Sequence, residues 1–420
     1  MLVRVVDCNF VSLRGRKIKN LSQKASRSTE VERSCTNPEM ISMAGIYVHI
    51  PFCKQACYYC NFHFSTQLNN REAMVAAICK DIDLRHHYLT ETKLNSVYFG
   101  GGTPSLLDKS QLSEIFQRIR HYFELKEGAE ITFECNPDDI TSGYLNDLLA
   151  LGVNRLSLGI QSFFDADLEF MHRAHNGLDA LKSLKLIKNA GFDNYSLDLI
   201  YGSPTTSDEM WQYNVNQLID AGVPHISAYC LTIEDNTVFG RWQKQKRLEP
   251  IDDEKASRQF YYLLDALEEA GYHAYEISNF AKPGYEAVHN SNYWTGEAYL
   301  GVGPAAHSYN GEERQWCVAN NVRYMKSVED SIVEVQNEVL TLVDRCNEMI
   351  MTRLRTSGGL DLDELSRIFG PNYRKLIEKG LENREMISHI HREGNRIKLS
   401  RSGKMMADRL AASLFIVESD

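Results

Sequence analysis

Three cysteines fall within eight residues of one another: Cys53, Cys57 and Cys60, in a C-x3-C-x2-C spacing. Iron–sulfur cubanes are held by cysteine thiolates, and three thiolates leave one of four irons without a protein ligand. That open position can chelate a small molecule, much as an open zinc position admits water. The competing chemistry is a mononuclear zinc site completed by His49 or His63. Zinc sites, however, usually combine a C-x2-C pair with a second, distant pair. The other cysteines of the ten, at 8, 35, 79, 135, 230, 317 and 346, are isolated. The spacing therefore points to a 4Fe-4S cluster.

The elements that must position this loop follow from periodicity. Short β-rich runs at 45–50, 96–100, 130–135, 155–160, 195–200 and 226–231 alternate with amphipathic stretches at 71–89, 111–122, 143–151, 178–190 and 207–221. Strands separated by helical crossovers are parallel, with the helices outside. The sequence thus predicts an α/β fold, a partial (β/α)6 barrel, with a doubly wound open sheet as the alternative. In a barrel, function gathers at the C-terminal ends of the strands, and the chemically unusual residues fall there. The cysteine loop follows the first run, and Gly100-Gly101-Gly102-Thr103 follows the second. Glu134 ends the third run, Gln161 follows the fourth, and Asp198 lies in the fifth. Three consecutive glycines exceed what a plain strand-to-helix turn needs, and they permit close backbone approach to a ligand.

Four regions are expected. Residues 1–42 carry eight basic against four acidic side chains, net +4 on a chain whose total is −10. They read as a wrongly chosen start upstream of Met43, a disordered basic arm or an organellar presequence, in that order of preference. Residues 43–235 form the barrel, and 236–334 an aromatic-rich extension covering the site. Residues 335–420 form a small winged-helix-like unit, with helices at 337–354, 361–368 and 373–382 and strands near 387–390 and 396–399. The acidic balance argues against a nucleic-acid partner. No run of 18 apolar residues suggests a transmembrane helix. Dispersed cysteines suit a reducing cytoplasm.

The C-x3-C-x2-C loop resembles the signature of the radical S-adenosylmethionine (SAM) superfamily. In that superfamily the open iron binds the amino and carboxylate groups of SAM, and one electron then frees a 5′-deoxyadenosyl radical. The lead-in Tyr47-Val48-His49-Ile50-Pro51-Phe52-Cys53 is similar to that of the oxygen-independent coproporphyrinogen III dehydrogenases. So are Phe99-Gly100-Gly101-Gly102-Thr103-Pro104-Ser105, Glu134-Cys135-Asn136-Pro137, Leu158-Gly159-Ile160-Gln161-Ser162-Phe163 and Leu197-Asp198-Leu199-Ile200-Tyr201-Gly202. The resemblance runs from about residue 45 to the C-terminus. It implies SAM contacts at Tyr47, Gly101, Gly102, Thr103 and Glu134. It also implies that Gln161, Arg173 and Asp198 hold a second SAM or the substrate edge, although Arg173 taken alone reads as a solvated helix charge.

Two features separate the branches of this family. The dehydrogenases carry a further cysteine two residues after the third; here that position is Phe62, as in the haem chaperone branch. His289-Asn290-Ser291-Asn292-Tyr293-Trp294 also resembles the HNxxYW haem signature of that branch. Imidazole is a common axial ligand, and Tyr293 and Trp294 could stack on a porphyrin; a buried histidine in an aromatic cluster is the plainer alternative. The leading expectation is a haem chaperone with retained radical SAM machinery. A true coproporphyrinogen III dehydrogenase comes second, and a radical SAM enzyme acting on another substrate, such as a methyltransferase, third. The resemblance further implies a flavodoxin or ferredoxin-like electron donor, haem or porphyrinogen as ligand, and a membrane-associated haem acceptor.

Overall fold

The structure, a computed structural model, describes residues 44–417; the 1–42 extension and the alternative start at Met43 lie outside them. Six parallel strands follow one another in chain order: β1 (Ala44–Ile50), β2 (Lys93–Gly101), β3 (Glu124–Cys135), β4 (Arg155–Gln161), β5 (Tyr195–Tyr201) and β6 (His225–Cys230). Every residue of β1 and β5 is buried, as strands covered on both faces require. Sequential order without reversal is barrel topology; a doubly wound sheet reverses at a switch point.

The remaining strands of the large sheet are β7 (His273–Ala274), β8 (Asn279–Ala281), β9 (Ala298–Val302), β10 (His307–Tyr309), β11 (Glu313–Cys317) and β12 (Val335–Val339). The sheet runs β12-β11-β10-β9-β1-β2-β3-β4-β5-β6-β8-β7. β9 joins β1 in parallel and β8 joins β6 antiparallel, so the barrel is partial and its ends never meet. The expected cover at 236–334 therefore also extends the sheet at both edges. It satisfies the unpaired N–H and C=O rows that an open barrel would otherwise expose.

Two helices of the outer face start at capping boxes. Asp108 and Gln111 cap Lys109–Tyr122, and Asn176 and Asp179 cap Gly177–Ala190; each satisfies backbone donors that the first turn leaves open. The helix Arg71–Arg85 is tied to β9 by a buried pair. Arg85 Nε donates to Asp81 Oδ1 at 2.6 Å, and its Nη2 donates to Gly301 O at 2.7 Å. Tyr324 Oη also donates to Asp81 Oδ2, at 2.6 Å. This network fixes the helix that follows the cysteine loop.

The C-terminal unit has its own core of Ile350, Leu354, Leu365, Ile377, Ile397 and Leu410. A small antiparallel sheet, β13 (Leu360–Asp361), β15 (Arg396–Leu399) and β14 (Ile390–Glu393), packs with helices Leu342–Arg355, Leu362–Phe369 and Pro371–Leu381. Two expectations need correcting here. Residues 337–339 belong to β12, and the helix starts only at Leu342, capped by Thr341 and Asp344. The expected strand near 387–390 is mostly the helix Arg384–His389. Met386 is buried there while Ile387 is 61% exposed, so a helical phase places the apolar side chains that looked like a strand.

Candidate functional site

The cysteine loop leaves β1 at its C-terminal end and is fixed by backbone bonds. Cys53 N donates to Ser65 O at 3.0 Å, Ser65 N to Pro51 O at 2.9 Å, and Tyr58 N to Met171 O at 3.1 Å. Gln55 reaches His172 O at 3.0 Å, and the His172 ring stacks on Tyr58 at 4.3 Å. The three cysteines are reduced and partly exposed. Burial pushes the Cys53 thiol up to about 12; the Thr103 hydroxyl works against that shift, and Cys60 and Cys57 add to it. The Arg173 guanidinium also opposes the shift, and a metal ion bound to the sulfur would oppose it further.

The zinc alternative is weakened at His49, where Tyr47 Oη meets Nδ1 at 3.2 Å and His63 O meets Nε2 at 2.9 Å; His63 Nε2 lies 2.7 Å from Asn321 Oδ1. Among the described residues, no three His, Cys, Asp or Glu side chains converge on a point where one metal ion would sit. A cubane spreads its ligands over separate irons and does not require that convergence.

The expected SAM residues of β2, β3 and β4 meet beside this loop. Thr103 Oγ1 lies 3.5 Å from Cys53 Sγ, and Asn136 Nδ2 donates to Thr103 Oγ1 at 3.1 Å. Arg173 Nη2 donates to Asn136 Oδ1 at 2.8 Å and to Gly159 O at 2.7 Å, while its Nη1 lies 3.4 Å from Cys57 Sγ. Arg173 is thus no solvated charge. It bridges the cysteine loop to the end of β4, and its buried Nε has no partner. Gln161 is buried at φ 65°, with Oε1 unpartnered, a strained backbone of the kind that clusters at functional sites.

Glu134 is held on both oxygens. Tyr98 Oη donates to Oε1 at 2.6 Å and Gly101 N to Oε2 at 3.2 Å. Tyr47 pairs with Tyr98 across β1 and β2, with ring centroids 6.0 Å apart. Asp198 shares a polar chamber inside the barrel with Glu134, Arg155 and His225. Burial raises its pKa to about 6; Ser227 opposes the shift and the Glu134 charge adds to it. Its Oδ1 lacks a partner. These orphaned polar atoms, carboxylates and close-approach glycines suit a ligand that combines a sulfonium, an ammonium and ribose hydroxyls.

Three of the HNxxYW residues, His289, Asn290 and Tyr293, line the same chamber. His289 is 2% exposed, at the inner end of the chamber. Nδ1 is hydrogen-bonded to Ser96 Oγ at 2.9 Å and Nε2 to Tyr293 Oη at 2.8 Å. Trp294 is buried and faces the C-terminal unit, with the Arg355 guanidinium 5.4 Å over its ring. Tyr98 and Asn136 were not singled out from sequence. For Tyr98 the signal was available: it sits two residues before Gly100 in one strand and so shares its face.

A second space opens beside the cluster loop. It has a volume of about 810 Å³ and lies between Tyr59–Phe62, the C-terminal ends of β5 and β6, and residues 404–409 of the C-terminal unit. Phe62, Ile200, Tyr229, Leu231, Phe260 and Met405 give it apolar walls, and Lys404, Arg355 and Arg409 line the C-terminal side.

Comparison with known proteins agrees with this arrangement. Residues 47–218 match the Radical SAM superfamily, and residues 340–406 the HemN C-terminal domain. The protein named Heme chaperone HemW of Lactococcus lactis is 33% identical over 359 residues, 85% of this chain and 93% of that one. The protein of the same name in Mycobacterium tuberculosis is 33% identical over 377 residues, 88% of this chain and 94% of its own. Coproporphyrinogen III oxidase (HemN) from Escherichia coli superposes with a TM-score of 0.76 at 21% identity, over 89% of this chain and 90% of that one, which establishes the shared fold. Among the described residues no helix is long and apolar enough to cross a membrane. The chain belongs to the radical SAM superfamily, in the HemN-like family that includes the proteins named heme chaperone HemW.

Proposed function

We propose that this chain is a haem chaperone. It holds one 4Fe-4S cluster on Cys53, Cys57 and Cys60, and SAM against Tyr47, Gly101, Gly102, Thr103 and Glu134, with Gln161, Arg173 and Asp198 behind. When bound, the cluster supplies the low-potential electron that cleaves SAM, and a flavodoxin or ferredoxin-like protein is the donor. The protein's own part is to orient SAM and exclude water. A reducing compartment, the cytoplasm, and a membrane-associated haem acceptor complete the reading.

The observation that carries it is the wide cleft beside the cluster loop, with Phe62 on its wall. A porphyrin presents two flat apolar faces and a pair of propionates on one edge. The aromatic and aliphatic walls fit the faces, and the Lys404 side fits the edge. In this reading haem lies in the cleft, while the His289 ring nitrogens are hydrogen-bonded to Ser96 and Tyr293.

The test is a haem titration of the reconstituted chain beside haem dimethyl ester, which lacks the propionate charges. About one haem per chain is expected, with the ester bound about tenfold more weakly, the size of one hydrogen bond to a charged group. Lys404→Gln should narrow that preference. Failure of the wild-type chain to take up haem would overturn the proposal.

A further inference from the structure

The HNxxYW segment touches the SAM side of the barrel through one tyrosine. The His289 ring lies 5.1 Å from the Tyr98 ring at an interplanar angle of 27°. Its Nδ1 is hydrogen-bonded to Ser96, which shares with Tyr98 one face of β2 because strand residues alternate. Tyr293 meets His289 edge-on at 5.2 Å and is itself braced by Tyr299 at 4.8 Å. From below, Glu130 accepts from the backbone N–H groups of Val288 and His289 at 2.8 and 2.9 Å, fixing the start of the helix Val288–Thr295. Above His289, the Tyr98 hydroxyl donates to Glu134 at 2.6 Å. A Cβ at Gly100 would come within 3.1 Å of that same Glu134 oxygen, so the carboxylate has little room to settle elsewhere.

We propose that His289 and Tyr293 are positioning residues for SAM: they hold the Tyr98 ring from beneath, and Tyr98 in turn fixes the Glu134 carboxylate against Gly101. This rests on Glu134 being a SAM contact. It gives the motif a role that needs no haem iron. The imidazole acts as a neutral spacer, with one nitrogen donating and the other accepting. Burial lowers its pKa to about 3, so it stays neutral across the working range.

The experiment uses the full chain, anaerobically reconstituted. SAM affinity is read from the change in the EPR spectrum of the reduced cluster, and haem uptake from Soret absorbance on the same samples. Tyr98→Phe keeps the ring and removes only the hydroxyl. It should weaken SAM binding about tenfold, the size of one hydrogen bond to a charged group. His289→Leu should weaken it similarly, and the double variant no further than either alone, the signature of a shared chain of contacts. Cluster iron and haem uptake should not change in either. A His289→Leu chain that loses haem and keeps full SAM affinity would overturn the inference. If His289→Leu does not fold, unchanged SAM affinity in Tyr98→Phe overturns it equally. Failure of the wild-type chain to bind SAM would instead remove the SAM-pocket reading, and this inference with it.

Discussion

Replacing Cys53, Cys57 or Cys60 by alanine, one at a time, is expected to remove most cluster iron and sulfide after anaerobic reconstitution, with the fold intact. The loop does not depend on the cluster for its path. Its backbone is anchored to Ser65 and Met171, and its side chains to His172. The C-terminal unit has a separate core of its own. Iron content should therefore fall while circular dichroism and Tm stay near wild type. Cys79→Ala is the control, since that thiol is buried in the main core; it should keep its iron. Full iron and sulfide in all three loop variants would remove the cluster assignment.

Gly102→Ala is expected to damage the SAM pocket more than any substitution that removes a single side-chain contact. A Cβ at this position would lie 2.5 Å from Phe52 O, 2.8 Å from Ile50 O and 2.9 Å from Phe52 N, all backbone atoms that cannot turn aside. The same stretch is pinned by Gly102 N donating to Ile50 O at 2.9 Å and Thr103 N to Phe52 O at 2.6 Å. Relief must therefore come from parting the glycine run from the strand that carries the cysteines. Overpacking of this kind costs about 1–3 kcal/mol of stability. SAM affinity, which depends on backbone groups held to within fractions of an ångström, should fall by about a hundredfold or more. Gly143→Ala, where a Cβ would meet nothing within 4 Å, should alter neither. Wild-type SAM affinity in Gly102→Ala would show that the glycines only make a turn.

Much of this arrangement was legible before any coordinates. The six barrel strands lie where the β-rich runs were read, because strands covered on both faces are largely apolar, and β1 and β5 are buried at every residue. The polar residues interrupting those ends, Glu134, Gln161 and Asp198, stand out for the same reason. What pattern could not give was pairing across long distance. The strands β8 and β9 that flank the barrel are short and lie far along the chain from their partners β6 and β1, so the extension read as a cover, whereas it extends the sheet. The segment at Met386 and Ile387 misled because a short run with apolar Met386, Ile387 and Ile390 fits a helix turn as well as a strand. At His289 the motif identifies residue types, but the direction of the imidazole depends on Ser96 and Tyr293, which only the fold brings to it.

The most direct test of the central claim sets two assays on one anaerobically reconstituted sample: SAM, dithionite and coproporphyrinogen III in the first, haem titration in the second. The account predicts haem uptake near one per chain and no carbon dioxide released from the porphyrinogen. Carbon dioxide and protoporphyrinogen formed over many turnovers would contradict it, would make the chain a dehydrogenase, and would leave Phe62 without diagnostic value.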